Sequence, residues 1–260
     1  MLNSDNYYQD TSYFSFSMYK KFMKCEAAAM AEIQGIYSPA TSPALLIGSY
    51  VDAVLCGEPG ELDKFITDHP EVISSRGATK GELKAEFKHA DVMIERCRRD
   101  DVFMSFLQGN YQVILTGSIG GVPVKGKLDV LAKDKIVDFK SAKDFELVWT
   151  SDGKVTFIES WGYDYQAAFY QELVRQKTKR KLPYYIAAVT KEPVPDIAVI
   201  HIPDKVIDLR LQEIEHFLPE LQIVAQGLVG PQRCEKCDWC KDTKILAGAI
   251  TLDQLREEWE

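Results

Sequence analysis

The stretch Gly126-Lys-Leu-Asp129-Val-Leu-Ala-Lys-Asp-Lys-Ile-Val-Asp138-Phe-Lys140 gathers two carboxylates and a lysine in a segment that reads as two strands and a turn. Asp138 and Lys140 are two residues apart, so in a strand both side chains leave the same face. Val137 and Phe139 alternate with them, which gives one apolar face and one charged face. Asp129 belongs to the preceding strand, and a tight turn around Lys133–Lys135 brings that strand alongside. Asp129, Asp138 and the backbone carbonyl of Phe139 then make a hard oxygen site suited to Mg²⁺ or Mn²⁺. Such an ion activates water and stabilises charge on a phosphodiester, while the lysine orients or deprotonates the nucleophile. By spacing alone, a solvated hairpin with paired Asp and Lys is as good a reading, because D-x-K triplets are common. The alternation and the neighbouring Asp129 favour the chemistry.

Further sets stand outside this stretch. Gln166 and Tyr170 are four apart and share a helix face, with Ala167 and Ala168 small enough for close helix–sheet packing. Taken alone, they describe a core tyrosine and a solvent-facing glutamine. Gly48 and Asp52 are also four apart, with Asp52 in an otherwise apolar helix. A buried carboxylate without a partner is costly, so Asp52 needs a metal or a hydrogen-bond donor. Cys234, Cys237 and Cys240 follow C-x-x-C-x-x-C spacing and supply three thiolates. In a reducing compartment such a run binds metal rather than forming disulfides, but three thiolates are one short of a closed zinc site or a four-cysteine cluster. Cys56 and Cys97 lie in apolar helical patterns and read as core. His69, His89, His201 and His216 fall in no motif and read as structural or exposed.

The elements that must position these residues are legible in outline. The chain has 260 residues, a length that suits one large globular domain or a domain with an appended module, and it carries a net charge of -8 with a pI near 5.2. The acidic balance argues mildly against a nucleic-acid partner, although a local groove can still be basic. Basic clusters occur at Lys20 and Lys21, at Arg96, Arg98 and Arg99, and through Lys177–Lys181, and each alone reads as a solvated helix face or end. No apolar run approaches the ~20 residues a membrane span requires. The polar start lacks the pattern of a signal peptide, which points to the cytoplasm. Residues 1–36 read as a polar lead and one serine-capped helix. A breaker at 38–43 precedes a buried helix in ALLIGSYVDAVL. Residues 60–75 show no clear pattern, and Lys80 to about Leu107 reads as one amphipathic helix. Strands are predicted over 111–117, 122–132 and 135–140. The helix containing Gln166, two further strands (LPYYIAAVTKE and DIAVIHIPD), a long helix, the cysteines and a short terminal helix complete an α/β order.

In combination, Gly48–Asp52, Asp129, Asp138-Phe-Lys140 and Gln166–Tyr170 resemble the PD-(D/E)XK nuclease superfamily, in its RecB-like and RecE-like branch. That branch carries G-x-x-x-H, an Asp, (D/E)-x-K and Q-x-x-x-Y in this order. The resemblance runs from about residue 13 to the final cysteines and extends to phage and prophage proteins called exodeoxyribonuclease VIII. It implies a central mixed sheet of about five strands flanked by helices. Its parts would be a helical region of about 1–108, a catalytic core of about 109–203, and a C-terminal helix with the cysteines over about 204–260, all within one domain. It also implies that Asp129, Asp138 and Phe139 hold metal, that Lys140 is catalytic, and that Gln166 and Tyr170 position the DNA backbone or the lysine. The family histidine is Asp52 here, which can still ligate Mg²⁺, and Glu86 in GELKAEF is a second candidate for that role. Related enzymes degrade one strand of duplex DNA from its 5′ end and leave a 3′ strand for a RecT-like annealing protein. Ring-shaped relatives make a homo-oligomer part of the expectation. Some RecB-like nucleases take a fourth cysteine from the N-terminal helix to bind a [4Fe–4S] cluster, and Cys25 stands at the matching place. Zinc on Cys25, Cys234, Cys237 and Cys240 is the rival. A non-catalytic DNA-binding module and a metal-stapled scaffold are the competing functions.

Overall fold

The computed structural model describes every residue except Met1, Ser4, Asp5, Thr41, Glu86, Ser151, Asp152 and residues 258–260. The polar lead ends in a short strand, β1 (Phe14–Ser15). Ser15 then caps α1 (Phe16–Lys24), its hydroxyl accepting from the Met18 amide at 3.2 Å. The single helix expected here is broken at Cys25, whose backbone is extended (φ -166°, ψ 108°) before α2 (Glu26–Ile33) begins. Helix-forming side chains flank the break, so composition does not reveal it. The break turns Cys25 toward the C-terminal cysteines. Next, α3 (Pro43–Leu55) starts inside the expected breaker, on a Ser42 cap and Pro43, and is less buried than expected, with Leu46, Val51 and Leu55 facing the core.

The patternless stretch contains α4 (Glu61–Asp68), which buries none of its residues and so carries no core-facing stripe to recognise. The long amphipathic helix expected from Lys80 is instead a turn-rich segment followed by α5 (His89–Arg98) and α6 (Asp101–Phe106). The physical cause is Asp100, whose side chain accepts from the Phe103 amide at 2.8 Å and starts a new helix inside the apolar pattern.

The predicted strands form as β2 (Asn110–Ile119), β3 (Val122–Leu131) and β4 (Ile136–Ala142). β2 and β3 are joined by Gly120-Gly121, both at positive φ (56° and 80°), as a two-residue primed hairpin turn requires. A small separate hairpin, β5 (Val148–Thr150) and β6 (Gly153–Val155), leads to α7 (Phe157–Trp161). Then α8 (Tyr163–Thr178) crosses over to β7 (Tyr184–Thr190), parallel to β4, and β8 (Ile197–Ile202) returns antiparallel. The five long strands follow the order β2-β3-β4-β7-β8, a mixed sheet, with β1 pairing parallel to the early end of β3. The chain closes with α9 (Asp204–Ala225), α10 (Asp238–Asp242) and α11 (Leu252–Glu257).

Both faces of the sheet are covered. On one, Leu128, Ile136, Tyr184 and Ile186 pack with α1, α8 and α9. On the other, Val130, Val137, Phe139 and Ala187 pack with α3, α5 and α6. β3 and β4 pair only through Val130–Val137 and Leu131–Ile136, next to their turn. Beyond those pairs the strands part, and the gap between them is where the charged residues collect. Among the described residues, no helix is long and apolar enough to cross a membrane.

Candidate active site and cysteine cluster

The parting of β3 and β4 leaves the Phe139 amide without a ladder partner, and Asp129 Oδ2 accepts from it at 2.8 Å. Asp138, only 1% exposed, points to the opposite face of β4 from Phe139. Its Oδ1 accepts from Gln166 Nε2 at 3.0 Å, and its Oδ2 forms an ion pair with the Lys140 ammonium. That ammonium lies 4.9 Å from the ring centroid of Tyr163, a cation–π contact at the start of α8. Gln166 is therefore a buried site residue, not a solvent-facing one. Tyr170, one turn further along α8, is buried beside it. Its ring rests on Gly126, where an added Cβ would come within 2.9 Å of both Tyr170 and Leu173. The glycine lets α8 sit down on β3. Gly48 does the same for α3, since a Cβ there would collide with the Ser141 hydroxyl of β4.

This approach brings Asp52 into the same pocket from the other side. Asp52 Oδ1 is buried and has no hydrogen-bond partner. Burial, then the charges of Asp129 and Asp138, push the Asp52 carboxyl well above the usual carboxylate range, against the pull of Lys140 and Lys127. Asp138 is raised to about 7, first by burial and then by Asp129, with Lys140 opposing. For Lys140, burial alone would favour loss of the proton, but Asp138 and Asp129 outweigh it and hold the ammonium charged. Burial likewise keeps the Tyr170 hydroxyl protonated. Three carboxylates thus act on one half-buried lysine, and one oxygen of Asp52 is buried without a partner. The oxygen-only donor set and the surplus negative charge fit a hard divalent cation, with Asp52, Asp129 and Asp138 as its holders. Phe139 lies in β4 between these groups. Glu86 lies outside the described residues.

A cation must displace the proton that burial favours on Asp52 and Asp138, so its affinity should rise with pH through about 7, the level to which Asp138 is raised. We expect Mn²⁺ to raise the melting temperature more at pH 8 than at pH 6, and Asp138→Asn to flatten that difference. Differential scanning fluorimetry at both pH values checks it.

Sequence reasoning missed three neighbours of the site. Lys127 is two residues before Asp129, so strand periodicity would have placed it on the same face. Tyr163 is three before Gln166 on α8 and was equally readable. Glu61, paired with Lys127 at 3.2 Å, comes from the unrecognised α4 and left no local signal. Asp52, Glu61, Lys127 and Tyr8 line a cavity of about 330 Å³ that opens beside the carboxylates.

The second constellation closes the chain on itself. The Sγ atoms of Cys25, Cys234, Cys237 and Cys240 all lie within 4.8 Å of one another, with Cys25–Cys240 at 3.6 Å. All are free thiols, as are the buried Cys56 and Cys97. The Cys237 amide donates to Cys234 Sγ at 3.3 Å. Burial resists ionisation of Cys234, but the amides of Lys236 and Cys237 and the neighbouring thiols overcome it and lower its pKa to about 6. That shift favours the thiolate, the form that ligates metal. Backbone contacts support the junction, with the Ala27 amide donating to the Gln232 carbonyl at 3.0 Å and the Gln232 amide to Glu26 at 2.7 Å. The four sulfurs fit a metal centre.

A mixed sheet that parts around Asp129 and Asp138-Phe-Lys140, with α8 supplying Gln166 and Tyr170, defines a PD-(D/E)XK-like protein. The chain belongs to the family described as PDDEXK-like domain of unknown function (DUF3799), which matches residues 15–243. It is similar to a crystal structure from Eubacterium rectale named "Putative exonuclease", with 40% identity, 98% of each chain covered and a TM-score of 0.90. No functionally curated protein matches the sequence closely enough to lend it an activity.

Proposed function

We propose that the protein is a divalent-metal-dependent exodeoxyribonuclease that hydrolyses phosphodiester bonds of linear DNA. The observation that carries this reading is the pocket in which half-buried Asp52 and Asp129 and buried Asp138 gather around the charged Lys140. A cation held there would supply Lewis-acid stabilisation of phosphate charge and a more acidic water. Lys140 stays protonated while the carboxylates are charged, so its first role is to donate a hydrogen bond to the phosphate or to the attacking water. Gln166 fixes the Asp138 carboxylate through its 3.0 Å bond, and Tyr170 packs the helix that carries Gln166 against β3. The exonuclease name borne by the Eubacterium rectale protein supports the exo mode. The resemblance to RecE-type enzymes supports 5′-to-3′ action on duplex ends in phage-type recombination. A RecT-like annealing protein would receive the 3′ strands, the setting would be cytoplasmic, and a homo-oligomer would aid processivity.

At the cysteines we favour a [4Fe–4S] cluster. Three cysteines at C-x-x-C-x-x-C plus one remote cysteine is the ligand pattern of bacterial ferredoxin clusters. Zinc would use the same four sulfurs.

The test is anaerobically purified protein incubated with linear duplex labelled at either end, with Mg²⁺ or EDTA. Progressive Mg²⁺-dependent release of the 5′ label supports the reading. Intact DNA with every divalent ion tried would leave a DNA-binding module on a nuclease-like fold.

A further inference from the structure

We propose that the β5–β6 hairpin and the end of α7 form a platform on which unpaired bases of a DNA strand stack as that strand passes the active site. The inference rests on the nuclease reading and adds to it the path of the substrate. Trp149 in β5 is 75% exposed and Trp161 at the end of α7 is 52% exposed, whereas such side chains usually carry much of a protein's buried area. Each has a lysine on its face. Lys154 Nζ lies 4.9 Å from the Trp149 ring centroid, and Lys20 Nζ lies 4.9 Å from that of Trp161. Lys20 also donates to the Trp161 carbonyl at 2.7 Å. Of the acids nearby, Asp144 pairs with Lys143 at 3.1 Å and Glu159 caps α7 through Thr156, while Glu146 is exposed.

The hairpin is too small to be stable as a sheet of its own. A line of rings anchors it to the site: Phe145 to Phe157 at 5.6 Å, Phe157 to Tyr163 at 6.4 Å, and Lys140 over Tyr163 at 4.9 Å. Exposed aromatic faces interleaved with lysines match a single strand, whose bases offer free π-faces and whose phosphates seek cations. The bases of an intact duplex are stacked on one another and offer none. Two exposed tryptophans, each with a lysine against its ring, make an unusual surface in a chain of net charge -8.

The experiment measures binding of a fluorescein-labelled oligothymidylate, and of a blunt duplex, to the full protein in EDTA, where hydrolysis is silent. Wild type should show tryptophan quenching with the single strand. Trp149→Ala should weaken that binding about tenfold, in line with one lost base stack, and Trp149→Phe should restore most of it. Trp161→Ala should act in the same direction, and duplex binding should change by less than about twofold in each, since a paired base offers no face to lose. Wild-type affinity for the oligonucleotide in both alanine variants would overturn the platform. A change in sedimentation mass in Trp149→Ala would also overturn it, by making the hairpin a contact between copies. If DNA is hydrolysed while both alanine variants bind normally, the platform falls and the nuclease reading stands. If the binding losses appear but no phosphodiester is hydrolysed, the nuclease reading falls and the platform stands.

Discussion

Lys140→Ala should lower hydrolysis of linear duplex by about a thousandfold, the middle of the range for a group that moves or holds a proton in the transition state. Lys140 is paired with Asp138 and is held charged by Asp138 and Asp129. Removing it takes away the ammonium paired with Asp138 that would donate to a phosphate or to the attacking water. Its removal takes out a positive charge that a bound cation can replace, so cation binding should hold or strengthen. Loss of activity with Mn²⁺ affinity retained, read by calorimetric titration beside the end-label assay, separates the role of the lysine from that of the carboxylates. Lys140→Arg should not rescue, because the guanidinium fork is wider and would be forced against Tyr163. A Lys140→Ala variant that keeps more than about a tenth of wild-type activity would remove Lys140 from the chemistry, since a hundredfold loss is the least such a role implies.

How much of this site could be read beforehand depended on whether a residue's role was local. Asp138 and Lys140 were legible because strand alternation is a property of adjacent residues, and Val137 and Phe139 occupy the apolar face as that alternation demands. Asp52 was legible because a carboxylate in an apolar helix is a cost that asks for a partner, and the structure places it among Asp129, Asp138 and Lys140. Gln166 was not settled by its own helix. Its burial comes from Gly126 letting α8 approach β3, a contact between distant segments. Glu61 had no signal, since α4 buries nothing. The five-strand order was expected only through the resemblance to a known fold. Local pattern supplied the strands, but it did not supply the parting of β3 and β4 after two pairs. The helix break at Cys25 was hidden for a related reason: the residues around it favour helix, and only the distant cysteines make the interruption worthwhile.

Those cysteines give the second large effect. Cys25→Ser should abolish metal binding at the four-sulfur site and lower the melting temperature by about 10 °C, equivalent to a loss of several kcal/mol in a chain of this size. Cys25 lies between α1 and α2, and α1 is held to the catalytic core by Phe16 and Tyr19, whose rings lie 6.1 and 5.5 Å from Phe169 of α8. Phe169 stands between Gln166 and Tyr170, so the cysteine junction braces the helix that orients Asp138. Anaerobic wild-type protein should carry either the visible absorption and four irons of a cubane or one equivalent of zinc, and elemental analysis distinguishes them. Cys56→Ala and Cys97→Ala should leave the metal content unchanged, because both thiols sit in the apolar cluster between α3, α5 and the sheet. Wild-type protein with neither iron nor zinc, and a Cys25→Ser variant that melts with it, would reduce the four sulfurs to a packed thiol cluster. With metal present in the wild type and lost from the variant, duplex hydrolysis should survive at low temperature and fail as the N-terminal helices loosen on warming. The carboxylate pocket itself contains no cysteine, so a staple and a catalytic centre differ in this temperature dependence.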